Sequence, residues 1–137
     1  MLKPASLDDL LDNQEPHATF HDAAFKSIAV DDVAHRLVAQ VELCVGDPGD
    51  ADAVKRERRR LGTLTVEGVV LWAVEPGLTS GDALWLTSDG PLNTAPTQAG
   101  QTFAAKCGAC NIAWFLFFSD LNAFGYVAAD CATFHWT

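Results

Sequence analysis

The clearest alternation of apolar and polar residues runs from 35 to 43. Its apolar members stand at every second position: Leu37, Ala39, Val41 and Leu43. Successive side chains of an extended strand point to opposite faces, so this pattern predicts a β-strand with one buried face and one wet face. The preceding run, 23–30, ends at Asp31-Asp32, residues that stabilise turns, and the two runs therefore predict an antiparallel hairpin.

A second alternating run extends from Leu64 to Val74, and its later half is apolar on both faces. Gly68 lies inside it, and a glycine within a strand pattern is typical of a bulge or bend. Residues 82–87 predict another short strand, 88–91 a turn, and 92–101 a loop containing Thr, Pro and Gly.

The N-terminal stretch predicts a short helix. Ser6 is a good capping residue, Asp9 stands three positions later, and Leu7, Leu10 and Leu11 share one helical face. Because one face is apolar, we expect this helix to pack onto a sheet.

The C-terminal third predicts two long antiparallel strands, 111–119 and 124–136, joined by a loop over 120–123. With that loop, Ser119 opposes Phe124. Both faces of this hairpin are apolar, and burying one large apolar side chain contributes about 1.5–3 kcal/mol. We therefore expect the hairpin to be central, covered on one side by another sheet or the N-terminal helix and on the other by the rest of the fold or a second subunit.

These elements predict a single α+β domain over 1–137 that is mainly antiparallel β, with about six strands in a sandwich or half-open barrel and a short N-terminal helix. Its length suits one domain with a core of its own. The expected irregular parts are the helix and lead-in, 1–16, a charged loop, 46–61, and an irregular loop, 88–106.

The net charge of the chain makes some classes of binding partner unfavourable. The formal net charge is −9, from 9 Lys and Arg against 18 Asp and Glu, and it opposes nucleic-acid phosphates and anionic membrane surfaces. The basic run 55–60 follows several aspartates, so it is typical of a solvated loop with internal charge pairing, with a contact to an acidic partner as the alternative. The chain shows no signal-peptide pattern and no apolar run of membrane-spanning length, which predicts a soluble cytoplasmic protein.

Four cysteines raise the question of metal or redox chemistry. Cys107 and Cys110 have the spacing of zinc sites and redox thiols, but only one such pair exists, whereas a four-cysteine zinc site usually uses two. In the predicted hairpin Cys110 and Cys131 are diagonal neighbours, and a slip of two residues would place them opposite each other. We favour structural cysteines near the core and predict no metal and no cofactor; zinc and redox chemistry are the alternatives.

The segment 17–22 holds two histidines and a carboxylate, groups that bind metals or transfer protons. His17 and His21 would align only on a helix, and Pro16 followed by a strand opposes one. Local hydrogen bonding at the entry to the first strand is therefore the favoured interpretation, with a ligand contact through His21 and Asp22 as the alternative. The phosphate-binding, serine-nucleophile and zinc-protease motifs are lacking, so no catalytic residue is assigned.

Asp130 falls within an apolar face, where an ionised carboxylate needs a partner. Exposure at an edge, or pairing with Tyr126, Lys26 or Arg36, is the favoured interpretation, and an acid in a cleft is the alternative.

Four segments carry a resemblance to a known group of proteins: FHDAAFKSIAVDD, RLVAQVELCVGDP, LTVEGVVLW and FGYVAADCATFHW. Together they resemble small, functionally unassigned bacterial β-rich proteins, some of them associated with toxin–immunity systems. The resemblance implies a compact accessory or binding protein and brings no active site with it.

Two functions follow as expectations. The first is a non-enzymatic bacterial binding protein, immunity-like, whose acidic surface meets a basic protein partner. The second is a small-ligand-binding protein or an enzyme with a pocket near His21, Asp22, Trp72 and Asp130. A homodimer remains an alternative assembly.

Overall fold

A computed structural model describes residues 3–75 and 84–137, and it shows one antiparallel sheet of eight strands. The strands are β1 (Thr19–Asp31), β2 (Arg36–Cys44), β3 (Arg59–Glu67), β4 (Leu71–Glu75), β5 (Leu84–Pro91), β6 (Ile112–Phe118), β7 (Ala123–Ala129) and β8 (Cys131–Trp136). Their order across the sheet is β4-β7-β6-β5-β1-β2-β3-β8. The mainly antiparallel β-rich prediction is confirmed, whereas about six strands is wrong.

The sheet is not closed, but its two halves share one core. Residues on one face of β1, β2 and β3 pack in the same buried cluster as residues of β6 and β7. A small apolar space is lined from both halves, for example by Leu37 of β2 and Trp114 of β6. The sequence predicted a sandwich or a half-open barrel; the structure has a single open sheet that curls around its own core, and not a sandwich of two sheets.

The first hairpin confirms the alternation read from the sequence. β1 pairs with β2 through the turn at 32–35, and Leu37, Ala39, Val41 and Leu43 are all buried. β1 also has irregular register near Asp22, whose φ of 63° places a non-glycine residue in the left-handed region.

The predicted bend at Gly68 separates two strands that lie far apart in the sheet. Gly68 has a φ of 66°, the left-handed conformation that favours glycine. After it, the chain leaves β3, which pairs with β2 and β8, and enters β4, which pairs with β7. The bend therefore carries the chain from one edge region of the sheet to the other.

The irregular loop predicted over 88–106 contains regular structure instead. Residues 88–91 complete β5, Leu92–Thr94 forms a 3₁₀ helix, and helix α2 spans Gln98–Cys107. Thr97 caps α2 by accepting the backbone N–H of Gly100. Similarly, the charged segment 46–61 contains the short helix α1 (Ala53–Arg56) and the first residues of β3.

The C-terminal hairpin forms with a register two residues from the predicted one. Phe118 opposes Ala123, and Ile112 opposes Ala129. The second strand also breaks at Asp130, so β8 pairs with β3 rather than with β6. Cys131 consequently opposes Glu67 and is exposed, not part of the apolar face.

Both faces of β6 and β7 are covered, as their composition predicts. On the inner side, Trp114 and Phe118 are buried in the main core, which also receives Leu7 from the N-terminal 3₁₀ helix (Leu7–Leu10). On the outer side, Phe103 of α2 packs on Tyr126 with ring centroids 5.3 Å apart. The cover is thus the other half of the sheet on one side and α2 on the other.

Candidate functional site

The tip of the first hairpin presents an apolar side chain to solvent. Asp31 accepts the backbone N–H groups of Val33 and Ala34, both at 3.0 Å, and His35 has a left-handed φ of 52°. This aspartate-stabilised turn fixes the tip and leaves Val33 92% exposed.

The same hydrogen bonds favour the ionised form of the Asp31 carboxyl. The backbone N–H of Ala34, and then that of Val33, hold the pKa of the Asp31 carboxyl below its ordinary value. Asp31 is therefore ionised at neutral pH, beside the exposed Asp32.

The connection from β3 to β4 lies against this turn. Val69 donates its backbone N–H to the carbonyl of His35 at 2.9 Å, and Val70 donates to Ala128 of β7 at 2.9 Å. With both amides held, the Val69 side chain is buried while that of Val70 is 67% exposed.

Between the two segments lies a space of about 360 Å³, which we call the hairpin-tip groove. Its lining residues are Val30, Asp31, Asp32, His35, Val69, Val70, Leu71 and Trp72. Val30 and Val70, which line the groove, and Val33, at the hairpin tip beside it, are three of the six large apolar residues that are notably exposed among the described residues. An exposed apolar patch with a polar rim is typical of an interaction surface.

The rim of the groove is acidic. Asp31 and Asp32 line it, and the carboxylate of Asp130 lies against Gly68, which precedes Val69. The nearby Arg36 pairs with Glu67, with Nε and Oε1 3.4 Å apart, and its charge also favours the ionised form of Asp31.

Two of the residues predicted for a ligand site reach this end of the sheet. Trp72 lines the groove, and Asp130 is exposed in the turn between β7 and β8, where its backbone N–H donates to Glu67. Asp130 therefore lies at an exposed edge, outside the apolar face. The predicted pairing with Tyr126 is not seen, because the Tyr126 hydroxyl lies 2.6 Å from Thr97 Oγ1 and donates to Glu75 Oε1 at 2.8 Å.

His21 and Asp22 lie elsewhere and make local contacts. His21 Nδ1 is 2.7 Å from the carbonyl of Thr87, and since a carbonyl only accepts, Nδ1 is the donor. His21 Nε2 lies 3.6 Å from the Asp22 carboxylate, and the Asp22 carbonyl accepts from Arg59 Nη2.

The four predicted residues are therefore divided between opposite ends of the sheet. Asp22 is bonded to Arg59, the first residue of β3, and Asp130 to Glu67, the last. The nine residues of β3 are separated by eight steps of roughly 3.3 Å, which place the two ends of the strand about 26 Å apart. A single pocket cannot hold Asp22 and Asp130 together.

No three His, Cys, Asp or Glu side chains within 3–75 and 84–137 are placed to share a metal ion. All four cysteines are free thiols. Among the described helices, none combines the length and apolarity needed to cross a bilayer.

The sequence pattern alone did not identify the exposed valines at the groove and at the hairpin tip. Val33 was a visible signal, since it is a large apolar residue in the turn between two strands, directly after Asp31 and Asp32. Val70 gave no comparable signal, because an apolar residue next to Gly68 is equally typical of a buried strand.

Comparison with known proteins gives no match: no family model, curated protein or solved structure is similar enough to this chain to indicate a family.

Proposed function

We propose that this chain is a non-enzymatic binding protein whose hairpin-tip groove docks a partner protein that has a basic, partly apolar surface. The observation that carries the proposal is the combination of exposed valines, Val33 on the turn and Val70 across the groove, with the exposed carboxylates of Asp31 and Asp32. Interfaces combine an apolar centre with a polar rim, and complementary charge steers the approach of the correct partner.

The turn is preorganised for such contacts. Asp31 already uses one carboxylate oxygen to hold the tip, and the Val69 amide ties the opposite wall to His35. A partner therefore meets an ordered surface and pays little conformational entropy to order it.

A partner with basic character is favoured over a second copy of the chain. Each copy carries a formal charge of −9, and a dimer through this groove would bring Asp31 and Asp32 toward their equivalents. Lysine or arginine side chains on a different protein would balance those carboxylates instead. Such a role agrees with the accessory or immunity-like function implied by the sequence resemblance.

A small-ligand pocket built from His21, Asp22, Trp72 and Asp130 has less support. The first two residues lie at one end of the sheet and the last two at the other, so they cannot orient one small molecule together.

The proposal is tested by replacing exposed valines with aspartate. Val70→Asp, in the groove, and Val33→Asp, at the hairpin tip beside it, should each lower the affinity for a captured basic partner at least tenfold, measured by calorimetry with the purified partner. Val54→Asp is the matched control, because Val54 is 81% exposed on α1, which follows the end of β2 opposite the hairpin tip. It should bind like the parent protein.

Thermal unfolding of all three variants should stay close to that of the parent, since substitutions at exposed positions usually change stability by about 0.5 kcal/mol or less. Equal affinity of the Val33 and Val70 variants and the parent would overturn the groove as the binding site. A well-folded chain that captures no protein, or captures only copies of itself, would overturn the proposed class of partner.

A further inference from the structure

The two closely spaced cysteines lie in one hydrogen-bonded turn. Cys107 is the last residue of α2, and the backbone N–H of Cys110 donates to the Cys107 carbonyl at 3.1 Å. Gly108 between them has φ −64° and ψ −17°, the conformation of the first central position of a common β-turn.

This turn brings the two thiols within reach of each other. A hydrogen-bonded turn of four residues keeps its first and last Cα atoms below about 7 Å, and disulfides span roughly 4.4–6.8 Å between Cα atoms. Both cysteines are partly exposed free thiols, so a reagent can reach them.

The other two cysteines have different surroundings. Cys44 lies in β2, where its thiol approaches the carbonyl of Arg56 at 3.9 Å, and Cys131 is exposed at the start of β8, opposite Glu67. These two positions therefore serve as internal controls for simple thiol exposure.

An open cleft leads to the turn. Cys110 lines a space of about 420 Å³ together with Lys3, Asn93 and Asn111. The Lys3 ammonium donates to the carbonyl of Ala109, inside the turn, at 2.9 Å. A cleft of this size, with an ammonium group and two side-chain amides, admits an anionic small molecule.

We propose that Cys107 and Cys110 form a reversible dithiol–disulfide site whose oxidant is a small anionic disulfide of the glutathione class. The Cys110 thiolate attacks one sulfur of the oxidant, forming a mixed disulfide and releasing one thiol. Cys107, as thiolate, then displaces the second thiol, so both protein thiols are oxidised, one small disulfide is reduced to two thiols, and the two protein protons end on those leaving thiols.

The bond is suited to switching rather than to stabilisation. A disulfide stabilises a protein mainly by restricting the unfolded chain, and the restriction grows with the length of the closed loop. A loop of four residues restricts little, so reduced glutathione should reopen it.

The experiment uses the full-length chain with oxidised glutathione as the probe. We expect the four free thiols to fall to two, the intact mass to fall by two hydrogens, and reduced glutathione to restore four thiols. Trypsin cleaves after Lys106 and leaves 107–137 as one peptide with three cysteines, so Cys131→Ser makes the pairing unambiguous.

Matched variants separate the pair from general thiol reactivity. The double variant Cys44→Ser/Cys131→Ser should still lose two thiols, at a rate within twofold of the parent. Cys107→Ser should stop at a mixed disulfide on Cys110, with the mass of one added glutathione. A stable glutathione adduct on the parent chain, a bond to Cys44 or Cys131, or no loss of thiols would each overturn the site. No partner protein enters the measurement, so its result is independent of the proposed function.

Discussion

At the scale of single residues, the Asp89 carboxylate of β5 holds the N-terminal 3₁₀ helix by a hydrogen bond. It accepts the backbone N–H of Leu7 at 2.8 Å, and Leu7 is fully buried. Burial raises the pKa of Asp89, the Leu7 bond opposes that shift, and the charges of Asp8 and Asp9 add to it. The ionised form is therefore less favourable in the folded chain than in the unfolded chain.

Asp89→Asn should stabilise the protein at neutral pH. An amide oxygen can still accept the Leu7 N–H, and the charge that burial disfavours is removed. Because the folded pKa lies above the unfolded one, the destabilisation caused by ionised Asp89 is full above the folded pKa and disappears as pH falls below the unfolded value. Urea unfolding from pH 7 down to pH 3 should thus show that the variant is more stable than the parent at neutral pH and that this difference shrinks toward acid.

Asp32→Asn provides the control for net charge, because it removes an exposed carboxylate at the hairpin tip. If the free energy of unfolding at pH 7 rises equally in both variants, the cause is general charge repulsion and not the burial of Asp89.

At the scale of elements, β6 shows why the first strand of the C-terminal hairpin is interior. Trp114 is 1% exposed and donates its indole N–H to the carbonyl of Pro4 at 3.0 Å, while Phe115 on the opposite face packs in the cluster beneath α2. The two faces of β6 thus contribute side chains to two clusters, the main core and the cluster that α2 covers.

Trp114→Asp should leave mainly insoluble protein. It places a charge in the apolar core and removes an aromatic side chain whose truncation alone costs about 3–5 kcal/mol. Trp85→Asp is the matched control, since Trp85 is 42% exposed on β5 and stacks with Arg59 at the surface. Soluble yield and near-ultraviolet circular dichroism report the outcome, and a soluble, ordered Trp114 variant would contradict the interior position of β6.

At the scale of the whole molecule, an ion cluster joins the N-terminal segment to the start of β3. Glu15 is 9% exposed, and its two oxygens accept from Arg58 at 2.8 Å and Arg60 at 2.9 Å. The hydrogen bond from Arg58, and then that from Arg60, hold the pKa of Glu15 below its ordinary value. Among the described residues, the ion pairs of the basic run are therefore made with Glu15 and Glu42, which lie far from it in sequence, and not with the adjacent aspartates.

Glu15→Gln should lower the free energy of unfolding at pH 7. A carboxyl whose folded pKa is depressed adds stability above its unfolded pKa, and that stability is lost as pH falls through the folded pKa. The difference between the variant and the parent should therefore vanish in acid, as read from urea midpoints over the same pH series.

Glu67→Gln is the comparison for Glu15→Gln, because the Glu67–Arg36 pair is about half exposed on both sides. Exposed pairs contribute little, so this variant should change stability less. An equal loss in both variants, or a Glu15 effect that persists in acid, would contradict the ion cluster as the cause.

Sequence pattern by itself determined the local features of this protein. Alternation fixed the inward face of β2, Asp31-Asp32 located a turn, Gly68 located a bend, and Leu7 began a short helix. These features depend on neighbours within a few residues, which the chain order already supplies.

Only the tertiary structure decided which strands pair, and therefore what the surface can do. The register of β6 with β7, the transfer of β8 to β3, and the approach of Val70 to the first hairpin all join distant residues. The predicted and observed registers of β6 and β7 differ by two residues, which leaves every side chain on the same face, so the apolar pattern cannot choose between them. The exposed groove exists because backbone hydrogen bonds from Val69 and Val70 hold that connection in place, and no local pattern encodes those bonds.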